Sequence, residues 1–370
     1  MKISRLTLAI SSLLALQVST QALAESTING FASIGYTSSK NNSGFAGIND
    51  SNMYPESLFG LQGNFDVNES VEATVQVVAR GNEEWDLEVS QANLSYKFDN
   101  GIKARAGVIR APFFLLSEYL DVGYAQPWAR SPEEVYGLVP VDSVTGVDVQ
   151  YEFSFDDSYL ALQVFAGSQK FSFAGVDGEG KDAYGLNATW YDDSWTLHAS
   201  YSQATIVADE INQGSGPFPK PVLSEGSEDA SFASVGARYD NGVWLAMSEI
   251  THTRISNNDG IPLYPENNAG YVTLGYHINS VMPYISYSRI ETLGIDDTGH
   301  MIGGGALETA FDYERNSYSL GARWDIKQGL ALKADVTYSD YADTNGGTTG
   351  GLTSNVDDDY IYTIKLDATF

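Results

Sequence analysis

The last eleven residues read Tyr360-Ile361-Tyr362-Thr363-Ile364-Lys365-Leu366-Asp367-Ala368-Thr369-Phe370. Tyr360, Tyr362, Ile364, Leu366, Ala368 and Phe370 alternate with Ile361, Thr363, Lys365, Asp367 and Thr369. A period of two puts successive side chains on opposite faces of an extended chain, so this stretch is a strand with one apolar and one mainly polar face. The same texture recurs upstream. Val71, Ala73, Val75 and Val77 alternate with Glu72, Thr74 and Gln76, and Ile102, Ala104, Ala106 and Val108 with Lys103, Arg105 and Gly107. Val147, Val149, Tyr151 and Phe153 alternate with Asp148, Gln150 and Glu152. Two further runs begin at Tyr184 and Leu330.

The connections between these runs are of two kinds. Short ones lie at 66–69, 99–101, 154–157, 192–194, 240–242, 279–281 and 327–329, and most carry the Asn, Asp and Gly residues of tight hairpins. Longer polar stretches lie near 38–55, 81–85, 111–143, 169–181, 207–228, 255–268, 293–313 and 342–358. Short and long alternate along the chain, and seven turns with eight loops imply sixteen strands. We place them near 26–37, 56–66, 70–80, 86–98, 102–110, 144–153, 158–168, 182–191, 195–206, 229–239, 243–254, 269–278, 282–292, 314–326, 330–341 and 358–370. Strands 243–254 and 282–292 do not alternate cleanly, and their faces are left unassigned.

Residues 1–24 carry Lys2 and Arg5, an apolar run from Leu6 to Leu16, and Ala22-Leu23-Ala24 before Glu25. This is the pattern of a cleaved secretory signal peptide, too short in its apolar part for a membrane helix of about 20 residues. The remaining 25–370 is expected to form one outer-membrane β-barrel. Hydrocarbon cannot satisfy an open strand edge, so a membrane sheet closes on itself, with its apolar set towards lipid and its polar set towards an aqueous lumen. Aromatic residues near strand ends, including Tyr96, Phe98, Tyr151, Phe153, Trp195, Tyr239, Trp244 and Trp324, suit the girdle such a barrel carries at its interfaces. A propeller needs a 40–50-residue repeat that is absent here.

Composition narrows the function. Twenty Lys+Arg against 48 Asp+Glu give a net charge of −28, which excludes nucleic-acid binding through a basic footprint. There is no cysteine, so disulfides, thiol catalysis and Cys-based zinc sites are absent. The acidic runs Asp156-Asp157, Asp192-Asp193, Asp296-Asp297 and Asp357-Asp358-Asp359 read as solvated turns and loops rather than metal sites, and no cofactor is implied.

Taken together, the chain resembles the Gram-negative trimeric outer-membrane porins of the 16-stranded general type. The signal peptide, the strand count, the C-terminal strand ending in Phe370 and the long segment after the fifth strand carry the resemblance. It implies an all-β, 16-stranded antiparallel transmembrane barrel whose third loop, 111–143, folds into the lumen. It also implies a homotrimer in contact with lipid and lipopolysaccharide, and Phe370 as a signal to the outer-membrane assembly machinery. Two features depart from the family. The Pro-Glu-Phe-Gly-Gly sequence of enterobacterial porins is missing from the third loop, and the second loop, 81–85, is too short for the usual latch onto a neighbouring subunit.

The third loop is rich in apolar residues, Pro112-Phe113-Phe114-Leu115-Leu116 and Trp128, that would sit badly on an extracellular surface. It also holds Glu118, Asp121, Arg130, Glu133 and Glu134, and follows Arg110. Parity puts Arg80, Lys103 and Arg105 on the lumen wall. Opposed acidic and basic sides would create a transverse field at a constriction. Alternatively, Arg110 and Arg130 pair with Glu118, Asp121, Glu133 or Glu134 and hold the loop in shape. The expected role is passive diffusion of small hydrophilic solutes and ions. A substrate-specific channel for sugars or anions is the alternative, with Phe113, Phe114, Tyr119, Tyr124, Trp128 and Tyr136 as a stacking track. A barrel hydrolase is a distant third, since His198, His252, His277 and His300 are isolated in sequence and no enzyme is expected.

Overall fold

The computed structural model describes residues 26–43, 48, 51–139, 141–173, 176–208, 228–255, 266–293, 314–341 and 357–370. The proposed signal peptide, His300 and Asp296-Asp297 lie outside them. The first eight strands are β1 (Ser26–Ser39), β2 (Leu58–Asn68), β3 (Val71–Arg80), β4 (Leu87–Lys97), β5 (Lys103–Arg110), β6 (Ser143–Ser154), β7 (Tyr159–Phe173) and β8 (Val176–Tyr191). The remainder are β9 (Trp195–Ala208), β10 (Glu228–Asp240), β11 (Trp244–Ile255), β12 (Glu266–Tyr276), β13 (Val281–Leu293), β14 (Glu314–Lys327), β15 (Leu330–Asp340) and β16 (Asp358–Thr369). One four-residue helix, α1 (Glu133–Tyr136), and short 3-10 turns occupy the segment between β5 and β6.

Every strand pairs antiparallel with its neighbours in sequence, and β1 pairs with β16 from Phe31↔Thr369 to Ser39↔Ile361. The cylinder is therefore closed and has no free edge. The quoted C-terminal run sets the pattern. Tyr362, Ile364 and Leu366 are 46%, 47% and 37% exposed, whereas Thr363, Lys365 and Asp367 are 4%, 7% and 0% exposed. The greasy side chains thus face out and the polar ones are covered, the inverse of a soluble protein and the arrangement a barrel in hydrocarbon requires.

Aromatic rings cap both ends of the exposed surface. Beside the short turns, Tyr96 meets Phe98 at 4.7 Å, Trp195 meets Tyr239 at 4.7 Å and Trp244 meets Tyr276 at 4.6 Å between ring centroids. Towards the opposite end, Tyr287, Tyr318, Tyr338 and Tyr360 lie directly across from one another on β13 to β16, with successive centroids 5.1, 6.4 and 4.9 Å apart. Such cross-strand pairs stabilise a sheet by about 0.2–1 kcal/mol each. Gly101, Gly242 and Gly329 adopt φ of 86°, 78° and 77° in three of the short turns, as their hairpin chemistry demands.

Two places depart from the sequence reading. Residues 169–181, read as a polar loop, instead continue the β7–β8 hairpin, with Gln169↔Gly180 and Phe171↔Gly178 in register. Bulges at Gly167/Gln169 and Lys181/Tyr184 absorb the broken alternation. The strict succession of short and long connections therefore fails there. The second departure concerns the two unassigned strands. β11 buries Leu245, Met247, Glu249, Thr251 and Thr253, and β13 buries Met282, Tyr284, Ser286, Ser288 and Ile290. Both carry apolar residues on both faces, because segment 111–142 packs against their covered face.

Candidate functional site

β3 and β5 each end in an arginine, the partly buried Arg80 and the fully buried Arg110, and Asp121 of the intervening segment joins the two. Its Oδ1 lies 2.7 Å from Arg80 Nη2, and its Oδ2 lies 2.7 Å from Arg110 Nη2. Arg110 also pairs with Asp142 and donates from Nη2 to Gln76 Oε1 at 3.0 Å. Arg80 pairs with Glu88 and has Glu83 and Asp142 at 3.7 and 3.6 Å. Further along β5, Arg105 forks onto Asp148 of β6 with contacts of 2.5–3.0 Å, and Lys103 lies 3.4 Å from Glu72. Burial opposes ionisation of Asp121, but Arg80 and Arg110 outweigh it and hold the carboxyl below its ordinary range. Asp142 is shifted the other way, upwards, by its burial and then by the neighbouring charge of Asp121, despite Arg110.

From this cluster, segment 111–142 is fastened to the covered faces of the strands opposite. Ser200 of β9 donates to the Phe113 carbonyl at 2.5 Å, and the Leu115 amide donates to Glu249 Oε1 of β11 at 2.9 Å. Phe113 packs edge-on against Phe165 of β7 and Phe232 of β10. Trp128, only 1% exposed, donates its indole N–H to Thr273 of β12 at 2.8 Å and stands at right angles to Tyr271. Tyr136 donates to Glu249 at 2.9 Å, and burial pushes its phenol well above the usual value. These rings fill the largest apolar cluster in the described structure.

Charges fasten the rest. Glu134 on α1 accepts from Arg315 Nε at 2.6 Å, Ser317 at 2.6 Å and Ser288 at 2.7 Å. Against the cost of burial, these partners hold its carboxyl below the ordinary range. Arg130 lies 2.6 Å from Glu56 and 3.4 Å from Glu133. The Gly123 carbonyl accepts from Lys333 at 2.6 Å, and Lys333 lies 2.8 Å from Asp367. A Cβ at Gly123 would stand 2.2 Å from Asp367 Oδ1, so a larger residue has to displace the Asp367 carboxylate. Arg323 donates to the carbonyls of Tyr124 and Gln126 and lies 4.8 Å over the Tyr124 ring.

The structure thus brings Arg80, Arg110 and Asp121 into one network and places Arg105 and Lys103 on the same wall, each with its own carboxylate. Arg130 with Glu133, and Glu134, sit apart from that network, against β14–β16 and Glu56. Glu118 is exposed and takes part in no ion pair among the described residues. The sequence reading did not single out Glu56, Asp142, Asp148, Glu249, Arg315, Arg323, Lys333, Asp335 or Lys365. Strand parity marked several as polar-face residues, but nothing in the sequence indicates which of them the segment reaches. The described histidines have other partners: His198 with Thr189 at 3.0 Å, His252 with Asn268 at 2.8 Å and Glu266 at 3.7 Å, and His277 with Asp240 at 3.8 Å. Among the described residues no three His, Asp or Glu side chains are placed to hold a metal ion.

No protein-family model matches the sequence, and no curated protein matches it. Solved structures do. The anion-selective porin from Comamonas acidovorans superposes with a TM-score of 0.61 at 13% identity, over 94% of this chain and 100% of that one. Salmonella typhi OmpF, in complex with daunomycin, gives 0.60 at 15% identity over 93% and 97%. Outer-membrane expressed OmpT of Vibrio cholerae gives 0.60 at 15% over 95% and 99%. The chain has the general-porin fold. At such identities the likeness establishes the fold, a 16-stranded barrel of the porin kind.

Proposed function

We propose that the chain is an outer-membrane porin that lets small hydrophilic solutes and ions diffuse through a water-filled channel narrowed by segment 111–142. One observation carries this reading. The 32 residues between β5 and β6 touch covered side chains on β1, β3, β7 and β9 to β16 of a closed cylinder. Contacts with so many walls support a path of the segment through the interior of the barrel. The exposed apolar surface with its two aromatic rims supports insertion in a bilayer, and the likeness to outer-membrane proteins supports the outer membrane as that bilayer. Export on a cleaved signal peptide, assembly through Phe370, contact with lipopolysaccharide and a homotrimer complete the proposal. A trimer form is known for the like-folded OmpT of Vibrio cholerae.

The stacking-track alternative finds less support. Phe113, Phe114 and Trp128 are buried in the cluster that fastens the segment, leaving Tyr119 as the exposed ring, 55% accessible. The test is reconstitution of the refolded chain into planar bilayers and solute-permeable liposomes. A porin gives stepwise ohmic currents in KCl and admits sugars at rates that fall with solute size. Silent bilayers and impermeable liposomes would contradict the reading.

A further inference from the structure

Beneath segment 111–142, towards the short-turn end, lies an open cavity of about 490 Å³ between the segment and the wall of β1, β2 and β16. Its polar lining includes Glu118, Tyr119, Tyr124, Asn29, Gln62 and Gln328. This volume falls within the range of about 300–1,000 Å³ that accommodates a small ligand. The lining is uneven in its engagements. Gln62 is spent on Gln76 and Asn64, and Tyr124 carries Arg323 on one face. The side chains of Glu118, Asn29 and Gln328 make no hydrogen bond to protein among the described residues, and the Tyr119 ring is exposed.

The charge of the adjoining wall decides what such a lining would take. Glu118 lies within reach of the positive charge of Arg105 and Arg110 on the adjoining wall. Both are already matched: Arg105 by Asp148, and Arg110 by Asp121 and Asp142. Over the wall formed by Arg80, Lys103, Arg105 and Arg110, four cations face six directly paired carboxylates, and Glu118 makes the seventh. The basic wall is thus over-neutralised, and Glu118 is the one charged side chain among the described residues that line the cavity.

We propose that Glu118, Tyr119, Asn29 and Gln328 form a binding site for a hydroxylated organic ammonium of about monosaccharide size. The ammonium sits on the Glu118 carboxylate, the Tyr119 ring covers an apolar C–H face, and the two carboxamides take hydroxyl groups. The inference rests on the channel reading, since the cavity meets solutes only if the barrel conducts.

The experiment uses the full refolded chain in planar bilayers, with three probes of matched size: glucosamine at pH 6, glucose and gluconate. Glucosamine is expected to interrupt the KCl current saturably, glucose at least tenfold more weakly, and gluconate not at all. Glu118→Gln is expected to weaken the glucosamine block at least tenfold and leave the glucose block in place, and Tyr119→Ala to weaken both. Equal block by glucose and glucosamine, or an unaltered glucosamine block in Glu118→Gln, would overturn the proposal while the channel reading stands. Absence of any KCl conductance would overturn the channel reading and this inference with it.

Discussion

Glu134 and Arg315 stand 181 residues apart in sequence, yet their side chains meet at 2.6 Å with 1% and 3% of their surfaces exposed. One belongs to the one-turn helix of the segment between β5 and β6, the other to β14. A buried pair offsets its own desolvation, so removing one member strands the other; breaking such pairs costs about 3–5 kcal/mol. We expect Arg315→Met to release α1 from the wall, seen as larger and noisier single-channel currents and faster proteolysis within 111–142. Glu134→Gln combined with Arg315→Met should recover part of the loss, because no charge is then left buried alone.

Arg80 and Arg105 set how much of the wall's acidity is cancelled. Replacing both with glutamine leaves Asp121 with Arg110 alone and takes the Arg105 guanidinium from Asp148. Reversal potentials across a KCl gradient should shift towards cations, with far-UV dichroism reporting an intact barrel. A shift towards anions, or none, would show that these arginines do not face the conducting path.

Acid should act late on the segment. Asp121 and Glu134 are both held below the ordinary carboxylate value of about 4 by their cationic partners. A depressed folded value contributes stability that is complete above the unfolded value and is lost as pH falls through the folded one. Asp142 is raised, so its protonation on acidification favours the folded arrangement and opposes that loss. Single-channel conductance should therefore hold steady from neutrality to about pH 4 and change only below it. A transition near pH 6 would place the controlling group elsewhere.

Gly123 permits the close contact of the segment with Asp367 and Lys333. Gly123→Val should lift the segment locally and increase the unitary conductance without lowering the temperature at which the barrel unfolds.

The barrel was legible in the sequence because hydrocarbon on one side and covered polar groups on the other impose a period of two. Where that contrast holds, as in β3, β5, β6, β15 and β16, the strands fall within two residues of their sequence-based positions. Where segment 111–142 packs on a wall, the covered face turns apolar too. Leu245, Met247, Met282 and Tyr284 then erase the contrast, leaving β11 and β13 without readable faces. The β7–β8 extension was masked by its bulges and by Gly178 and Gly180. Of the candidate site, parity marked Arg80, Lys103 and Arg105, and composition marked the segment. Its destinations at Glu56, Glu249, Arg315 and Lys333 depend on a path through three dimensions that no local pattern encodes.

Passage of solutes through the barrel beside segment 111–142 has a direct test in a chain that lacks cysteine. Tyr119→Cys channels, held open in a planar bilayer, are treated with a charged, membrane-impermeant thiol reagent, and Ile285→Cys on the exposed apolar face serves as the control. An abrupt fall in conductance is expected at Tyr119→Cys and none at Ile285→Cys. Unaltered conductance in a Tyr119→Cys protein shown by mass to be modified would contradict it.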